Sequence, residues 1–574
     1  MEKIGKLVTK IFKNNFPLTF LIAWLLSCGA LLAQGFTDIS KEAGLEHYFE
    51  VYEGMFGGGV AVLDFNNDGF EDLYLTGGMQ PDQLLLNQGD GSFEDQLEKA
   101  GMLKVLDFVT QGVAAADFNR DGFKDLFITT ITLKNKKQKI PRAQNLIFIN
   151  QGDGTFVEES VAFGLDQTSS FSTGVAVGDV NRDGYPDVYV GNYFTDYDGG
   201  LKEISDATIV NAGKTAKGYL YINRKGKKLV ESYEDYGLNH RGFSFGGVFT
   251  DFDNDHDMDL IVNNDFGYKA KPSYLLENQY PKKGFKYVEK SQGMDLRINA
   301  MGAATADVDG DGWLDYFITN IRFNRMMVRD SIAPTPFVDQ ANSYGLELFT
   351  ISWGAVFADF DLDGDEDLFV SNGDLNPNCV PMHNFYFEKQ GSKFEEKSLN
   401  VGLRDYGLGR GAAIFDLEND GDMDLLLINQ KAVMQYGTET VSRLYRNENK
   451  TGNYLKVKLH GTQSTPSGFG ARIETFVQGH RQTREIDGGN SSHLSHNSTI
   501  AHFGLGEHTQ VDSLKITWPG GFQQKFIEVP VNQLLEVKEP NYSHPSNFPW
   551  KTLIIISIIV VAILKFRASF MVKS

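Results

Sequence analysis

Seven times along this chain an aspartate opens a nonamer with oxygen-bearing side chains at positions 1, 3, 5 and 9, and usually a glycine at position 6. The first three copies place Asp64, Asn66, Asp68 and Asp72; Asp117, Asn119, Asp121 and Asp125; and Asp179, Asn181, Asp183 and Asp187 at those positions. The fourth and fifth place Asp251, Asp253, Asp255 and Asp259, then Asp307, Asp309, Asp311 and Asp315. The last two place Asp359, Asp361, Asp363 and Asp367, then Asp416, Glu418, Asp420 and Asp424. Hard oxygens at this spacing suit calcium, with the carbonyl of the seventh residue and a water completing the shell. Up to seven calcium ions are therefore expected. The pattern is not an EF-hand, because Leu75 stands where the twelfth-position glutamate would be and no copy carries one there. A single acidic turn would be ambiguous, whereas seven in register are not. Two copies depart from the pattern: His256 replaces the glycine of the fourth, and Glu418 puts a longer arm into the seventh.

Each nonamer lies between two apolar runs, as in GGVAVLDF (58–65) and DLYLTGG (72–78), so it reads as the tip of a hairpin. Two more elements recur. LLLNQGDGSF (84–93) and IFINQGDGTF (147–156) surround a tight Gly/Asp turn, with YLYINRKGKKL (219–229) a degenerate copy. Segments such as FEDQLEKAGM (93–102) and FVEESVAFGL (156–165) then close the unit. Four short strands repeated seven times predict an all-β chain whose residues 34–450 form a seven-bladed β-propeller. The nonamers recur at intervals of 52–72 residues, too long for most solenoid repeats. FTDISKEAGL (36–45) precedes the first acidic loop and is expected to complete the last blade, closing the ring without a free edge.

Residues 451–538 change character and predict a small β domain with Gly-rich turns, in which Tyr454–Leu459 alternates as a half-buried strand. It holds six of the 11 histidines. A zinc site at His493 and His496 would lack a recognised ligand spacing and a cysteine, so packed or surface histidines are the expectation.

The chain of 574 residues has 60 glycines, 12% aromatic residues and a formal net charge of −21, which argues against nucleic acid as a partner. Residues 1–33 read as a signal peptide; the competing lipobox at Cys28 is weakened by the bulky Leu26 and the apolar run that follows. With Cys28 removed, Cys379 is the one cysteine left, so metal ions rather than disulfides must staple the fold. Residues 539–550 read as a linker, 551–570 as a transmembrane anchor and 571–574 as a short basic tail, leaving the bulk of the chain outside the cytoplasm, on the cell surface or the periplasmic side.

Phe56-Gly57-Gly58-Gly59 and Phe245-Gly246-Gly247, each followed by an acidic loop, resemble the FG-GAP/VCBS repeats of integrin α-subunit propellers and bacterial surface proteins. Gly468-Phe-Gly-Ala-Arg472, His502-Phe-Gly-Leu-Gly506 and Val511–Gly521 resemble the ASPIC/UnbV domain, with Gly520 where that family commonly has Ser. Together they are the arrangement of the cartilage acidic protein family, which implies secretion, calcium binding and adhesion-like interaction.

The ligand face is expected on the long connections between second and third strands: Lys134–Arg142, Asn192–Lys217, Arg322–Arg329 and Ser371–Phe385. Their basic stretches would meet an extracellular protein or an anionic polysaccharide. The leading reading is a calcium-binding, membrane-anchored interaction module. The alternatives are a carbohydrate-active enzyme on a propeller scaffold, for which no catalytic constellation stands out, and a non-catalytic assembly scaffold.

Overall fold

The computed structural model describes residues 35–51, 57–133, 143–194, 215–330, 332–374, 380–432, 437–449, 451–488, 492–542 and 555–556. Among the described residues seven sheets share one plan of four antiparallel strands, in sequence order except where the ring closes, and two further sheets form the C-terminal domain. The innermost strands are Val60–Leu63, Phe108–Ala116, Ser172–Gly178, Phe243–Thr250, Ala303–Ala306, Phe349–Ala358 and Gly409–Phe415, in blades one to seven. They are rich in Gly, Ala and Val because inner strands crowd one another around the axis; Val60–Leu63 and Phe108–Ala116 are buried throughout. Phe36–Asp38 pairs antiparallel with Arg443–Asn447, so the first strand of the chain supplies the outer strand of blade seven. The ring is thereby closed by hydrogen bonds between its two ends.

Blade six differs in having five strands: Ile321–Phe323, from the connection inside blade five, pairs with the start of Phe349–Ala358. Arg322–Arg329 is therefore not a long loop, since Arg325–Arg329 is the third strand of blade five. Lys134–Arg142, residues 195–214 of the second connection and 375–379 of the fourth lie outside the described residues, as do the expected signal peptide and all of the expected anchor except the backbone of Ile555–Ile556. No helix among the described residues is long and apolar enough to cross a membrane.

The C-terminal domain stacks a sheet of Ala501–Gly504, Tyr454–His460 and Gln533–Lys538 with a second built on Arg472–Val477, His480–Glu485, Gln510–Thr517 and Gln523–Pro530. It extends past the expected boundary at 538. The buried Glu539 carboxylate accepts the amide N–H groups of Thr462, Gln463 and Ser464 at 2.8 Å each, and Tyr542 stacks on Phe522. Three amides converging on one carboxylate make residues 539–542 part of the fold rather than a linker.

The domain is not a separate bead. Gly488 and Ser492–Asn497 enter the propeller axis and touch every blade. The His496 amide donates to the Val60 carbonyl at 2.7 Å, and the Val62 amide to the His496 carbonyl at 3.0 Å. Val113 donates to Leu494, Val177 to Gly488, and Ala412 to the Ser492 hydroxyl, at 3.2, 2.7 and 3.1 Å. His493 reaches the Met301 carbonyl at 3.1 Å and packs edge-on to Phe245 and Trp353. Inner strands expose backbone groups toward the axis that must find partners, and this segment supplies them.

Candidate metal centres

Each acidic nonamer is built the same way from the backbone outward. In every copy but the fifth the first aspartate accepts amide N–H groups from the fifth and sixth residues: Asp68 and Gly69 onto Asp64 at 3.1 Å, Asp121 and Gly122 onto Asp117 at 3.1 and 2.9 Å, Asp363 and Gly364 onto Asp359 at 3.0 and 2.9 Å; in the fifth, Asp307 accepts from Gly312 alone, at 3.0 Å. That tight loop needs left-handed backbone at the fourth residue, where φ is 54–70° in all seven copies, and again at the sixth. Glycine fills the sixth position at little steric cost except in blade four, where His256 adopts φ 69°.

The ninth-position aspartate ties the hairpin to the third strand. One oxygen of Asp72 accepts the Asn87 amide at 2.8 Å, and the same bond recurs from Asn150 to Asp125, Asn223 to Asp187, Asn278 to Asp259, Arg329 to Asp315, Lys389 to Asp367 and Asn447 to Asp424. The asparagine side chains then cross to the preceding blade: Asn87 donates to the Leu417 carbonyl, Asn150 to Phe65, Asn223 to Phe118, Asn278 to Val180 and Asn447 to Phe360, at 2.8–3.0 Å. Fourth-position side chains run forward: Asn67 to the Gly122 carbonyl at 3.0 Å, and Asn419 across the ring closure to Gly69 at 2.9 Å. The loops thus form one hydrogen-bonded girdle.

Burial pushes Asp72, Asp125 and Asp315 up to about 8, with neighbouring carboxylates of the same loop adding to the effect. Asp187, Asp259, Asp367 and Asp424 lie well above the ordinary carboxylate range for the same reasons. Carboxylates packed this closely favour either protons or a cation.

The loops divide when tested for fit to a divalent ion. Asp251, Asp253 and Asp259; Asp307, Asp309 and Asp311; and Asp359, Asp361 and Asp363 each bring three carboxylate oxygens within 4.8 Å of one another. That is about the span across an ion held at ~2.4 Å from each oxygen. Buried Asp259 Oδ2 and Asp307 Oδ1 have no hydrogen-bond partner. Blades four to six therefore fit calcium. Loops one to three keep their aspartates but place asparagine at the third position. Loop seven holds four acidic residues, yet Asp416, Glu418, Asp420 and Asp424 form no such group, contrary to expectation. Asp416 Oδ2 lies 2.5 Å from Lys456 Nζ, and Glu418 lies 3.7 Å from Arg446.

The C-terminal domain covers this face of the ring. Arg472 donates to the Gly312 and Asp251 carbonyls at 3.1 Å each, Arg481 to Gly310 at 2.9 Å, and Arg120 to Thr462 at 2.9 Å. Gly310 and Leu362 are the fourth-position residues that cannot stitch forward by a polar side chain; Arg481 and the Gly506 amide meet their carbonyls instead. The eighth nonamer residue, which the ligand pattern leaves unspecified, points into this interface. Glu71 accepts from Ser498 at 2.6 Å, Lys124 donates to Thr499 at 3.0 Å, and Glu366 pairs with Arg484 at 3.1 Å.

Models of known families match in two places. The FG-GAP-like repeat matches residues 64–128 and 140–190, the FG-GAP repeat 171–222, and the ASPIC and UnbV model 461–544. The chain carries FG-GAP repeats and a C-terminal ASPIC/UnbV domain. It is similar to cartilage acidic protein 1 of Xenopus tropicalis, 25% identical over 514 residues that cover 84% of this chain and 74% of that one. It is also 24% identical over 250 residues to integrin alpha pat-2 of Caenorhabditis briggsae, covering 39% of this chain and 19% of that protein. Among solved structures, an Agrocybe aegerita lectin covers 68% of this chain and 91% of its own at 14% identity and a TM-score of 0.39, too loose a likeness to argue from.

Within the ASPIC/UnbV domain the two histidines considered for zinc do not converge. His493 and His496 are fully buried in the axial segment, where His496 Nδ1 accepts the Ala115 amide at 3.0 Å, and burial lowers both to about 3. Among the described residues no group of three metal ligands includes either. The conserved geometry of the third-strand asparagines was open to sequence reasoning, because LLLN, IFIN, YIN, LLEN and YRN recur at one point of five repeats. The eighth-position contacts left a fainter signal, apolar Met258, Leu314 and Met423 at the tip of acidic hairpins, all buried.

Proposed function

We propose that this chain is an extracellular interaction module whose propeller is stapled by calcium and whose ligand surface is the face away from the acidic loops. The observation that carries this is the seating of the ASPIC/UnbV domain over the loop face and down the axis, which leaves the opposite rim as the uncovered end of a rigid scaffold. Similarity to cartilage acidic proteins and to an integrin α chain supports the extracellular setting. FG-GAP repeats often bind calcium, and the oxygen groups of blades four to six fit it; Asp251, Asp253, Asp259, Asp307, Asp309, Asp311, Asp359, Asp361 and Asp363 would hold the ions. Bound calcium supplies positive charge that holds repelling carboxylates together. The partner is an extracellular protein or anionic polysaccharide, and the C-terminal apolar run anchors the module to a membrane.

The enzyme reading has one observation to answer. A cavity of about 110 Å³ between propeller and domain is lined by Glu366 and Glu485, both raised by burial to about 7. Glu366 is paired with Arg484, and Glu485 accepts the Asp251 amide at 3.0 Å. Each carboxylate is thus already answered by a group of the chain itself. The test is capture of extracellular proteins and glycosaminoglycans on the chain from residue 34, in millimolar calcium and in chelator. Saturable capture lost in chelator is expected; no capture by folded, calcium-loaded protein would overturn the reading.

A further inference from the structure

Lys456 lies on the strand Tyr454–His460, whose alternate residues Leu455, Val457 and Leu459 enter the domain core. Such alternation normally turns the lysines toward water. Here the lysine face meets the acidic ring instead. Lys456 Nζ is 2.5 Å from Asp416 Oδ2 and 2.9 Å from Asn419 Oδ1, and the side chains of Lys456 and Asp416 are 5% and 4% exposed. Lys458, two residues on, reaches only to 4.0 Å from Asp64 in loop one.

The domain also sits close on loop seven. His502 Nε2 lies 2.8 Å from the Gly421 carbonyl, and a Cβ added to Gly421 would fall 1.8 Å from the Tyr454 ring. At the equivalent Gly69 and Gly122 of loops one and two, an added Cβ meets nothing within 4 Å. Arg446 draws on Glu418 from the third strand of the same blade. Two of the four acidic side chains of this loop are thus engaged by cations of the chain itself, and the loop does not gather its oxygens as blades four to six do.

We propose that Lys456 is the built-in cation of the seventh loop, which makes that loop the docking point of the ASPIC/UnbV domain and not a seventh divalent-ion site. This rests on the reading that other loops take divalent ions. An ammonium hydrogen-bonded to the first carboxylate places its charge where the ion would need the same oxygens. Two like charges do not share so small a buried space without a large penalty. In loop seven the domain thus supplies the cation that divalent ions would supply in loops four to six, while elsewhere its arginines meet the loops through backbone carbonyls and residues outside the ligand set.

The test is a crystal structure of the protein grown in manganese, with anomalous maps, together with a double-mutant cycle on Lys456→Met and Asp416→Asn in chelator. Anomalous peaks at Asp307 and Asp359 but none bonded to Asp416 are expected. Amide exchange at Leu494 and His496 reads docking of the axial segment without reference to metal. Each single substitution should speed it by roughly a hundredfold, as for loss of one partner of a buried pair. The double variant should exchange little faster than either single one. A peak bonded to Asp416 with Lys456 in place, or additive effects in the cycle, would overturn the proposal. Peaks in no loop, with coupling intact, would remove the calcium reading and leave the lysine as the cation of loop seven.

Discussion

Loops six and seven contain the same number of acidic ligands and differ in what the rest of the chain brings to them. In loop six, Asp359, Asp361 and Asp363 converge and the nearest domain cation, Arg484, pairs with Glu366 outside the ligand set. In loop seven a domain lysine enters the loop and binds the first ligand itself. Loops with the same number of acidic side chains thus meet the rest of the chain differently, and in loop seven the difference is made by a strand forty residues downstream. Local chemistry sets the charge of a loop; tertiary contact sets which cation answers it.

Stripping the ions should have the largest effect. In blades four to six, burial and neighbouring carboxylates raise Asp253, Asp361 and Asp315 to about 6, 7 and 8 in the metal-free fold against 3.8 ordinarily, so that fold binds more protons than the unfolded chain. Its stability is therefore lost progressively as pH rises from about 4 to about 8, and the gain in Tm on adding calcium should widen over the same window. Calorimetry with and without chelator at pH 5 and 8 measures this; equal increments at both would mean that calcium does not relieve these carboxylates.

Next comes the seat of the domain. Gly421→Ala forces a Cβ into Tyr454 as well as an unfavourable φ of 100°, whereas Gly69→Ala suffers only its φ of 94°. The second should cost about 1–2 kcal/mol. The first should cost several times more and release the axial segment, read as exchange at Leu494 and His496. Similar losses for both would place the seat elsewhere.

Asn150→Ala removes the bonds from that side chain to the Phe65 and Lys124 carbonyls, leaving a buried acceptor without a partner. About 1–3 kcal/mol is expected, without change in ion count. A lost ion would show that the girdle positions ligands as well as blades.

The finest comparison is between third-position ligands. Asp361→Asn should weaken the site in blade six, lowering the calcium affinity of one site by roughly tenfold, while Glu418→Gln should leave calcium binding unchanged. Isothermal titration of both variants checks the pair. A Glu418→Gln variant that loses an ion would restore loop seven as a metal site.

Much of this fold was legible in residues 36–450. Hairpin spacing, aspartate register and a displaced closing segment each have local causes, because a left-handed turn, a two-residue strand period and an unpaired edge are visible in a single repeat. The asparagines that end the third strands were equally visible, but a hydrogen bond to the next blade has no trace in the repeat itself. Lys456 was harder still. On its strand it satisfies the alternation of a solvent-facing lysine, and only the approach of another domain turns solvent into an acidic wall. Likewise His493 and His496 read as packed or surface residues rather than zinc ligands, and only the tertiary structure decides that they are packed, in the axis.

What the sequence determines by itself is therefore periodic: the number of acidic hairpins, their oxygen-bearing side chains, the strand that closes the ring and the change of domain after residue 450. These follow from short-range stereochemistry repeated seven times. The tertiary structure alone decides that Gly488 and Ser492–Asn497 enter the axis, that the ASPIC/UnbV domain covers the loops, and that loop seven meets a lysine. Those outcomes depend on long-range pairing of buried charge and unsatisfied backbone, a property of surfaces brought together and not of any segment alone.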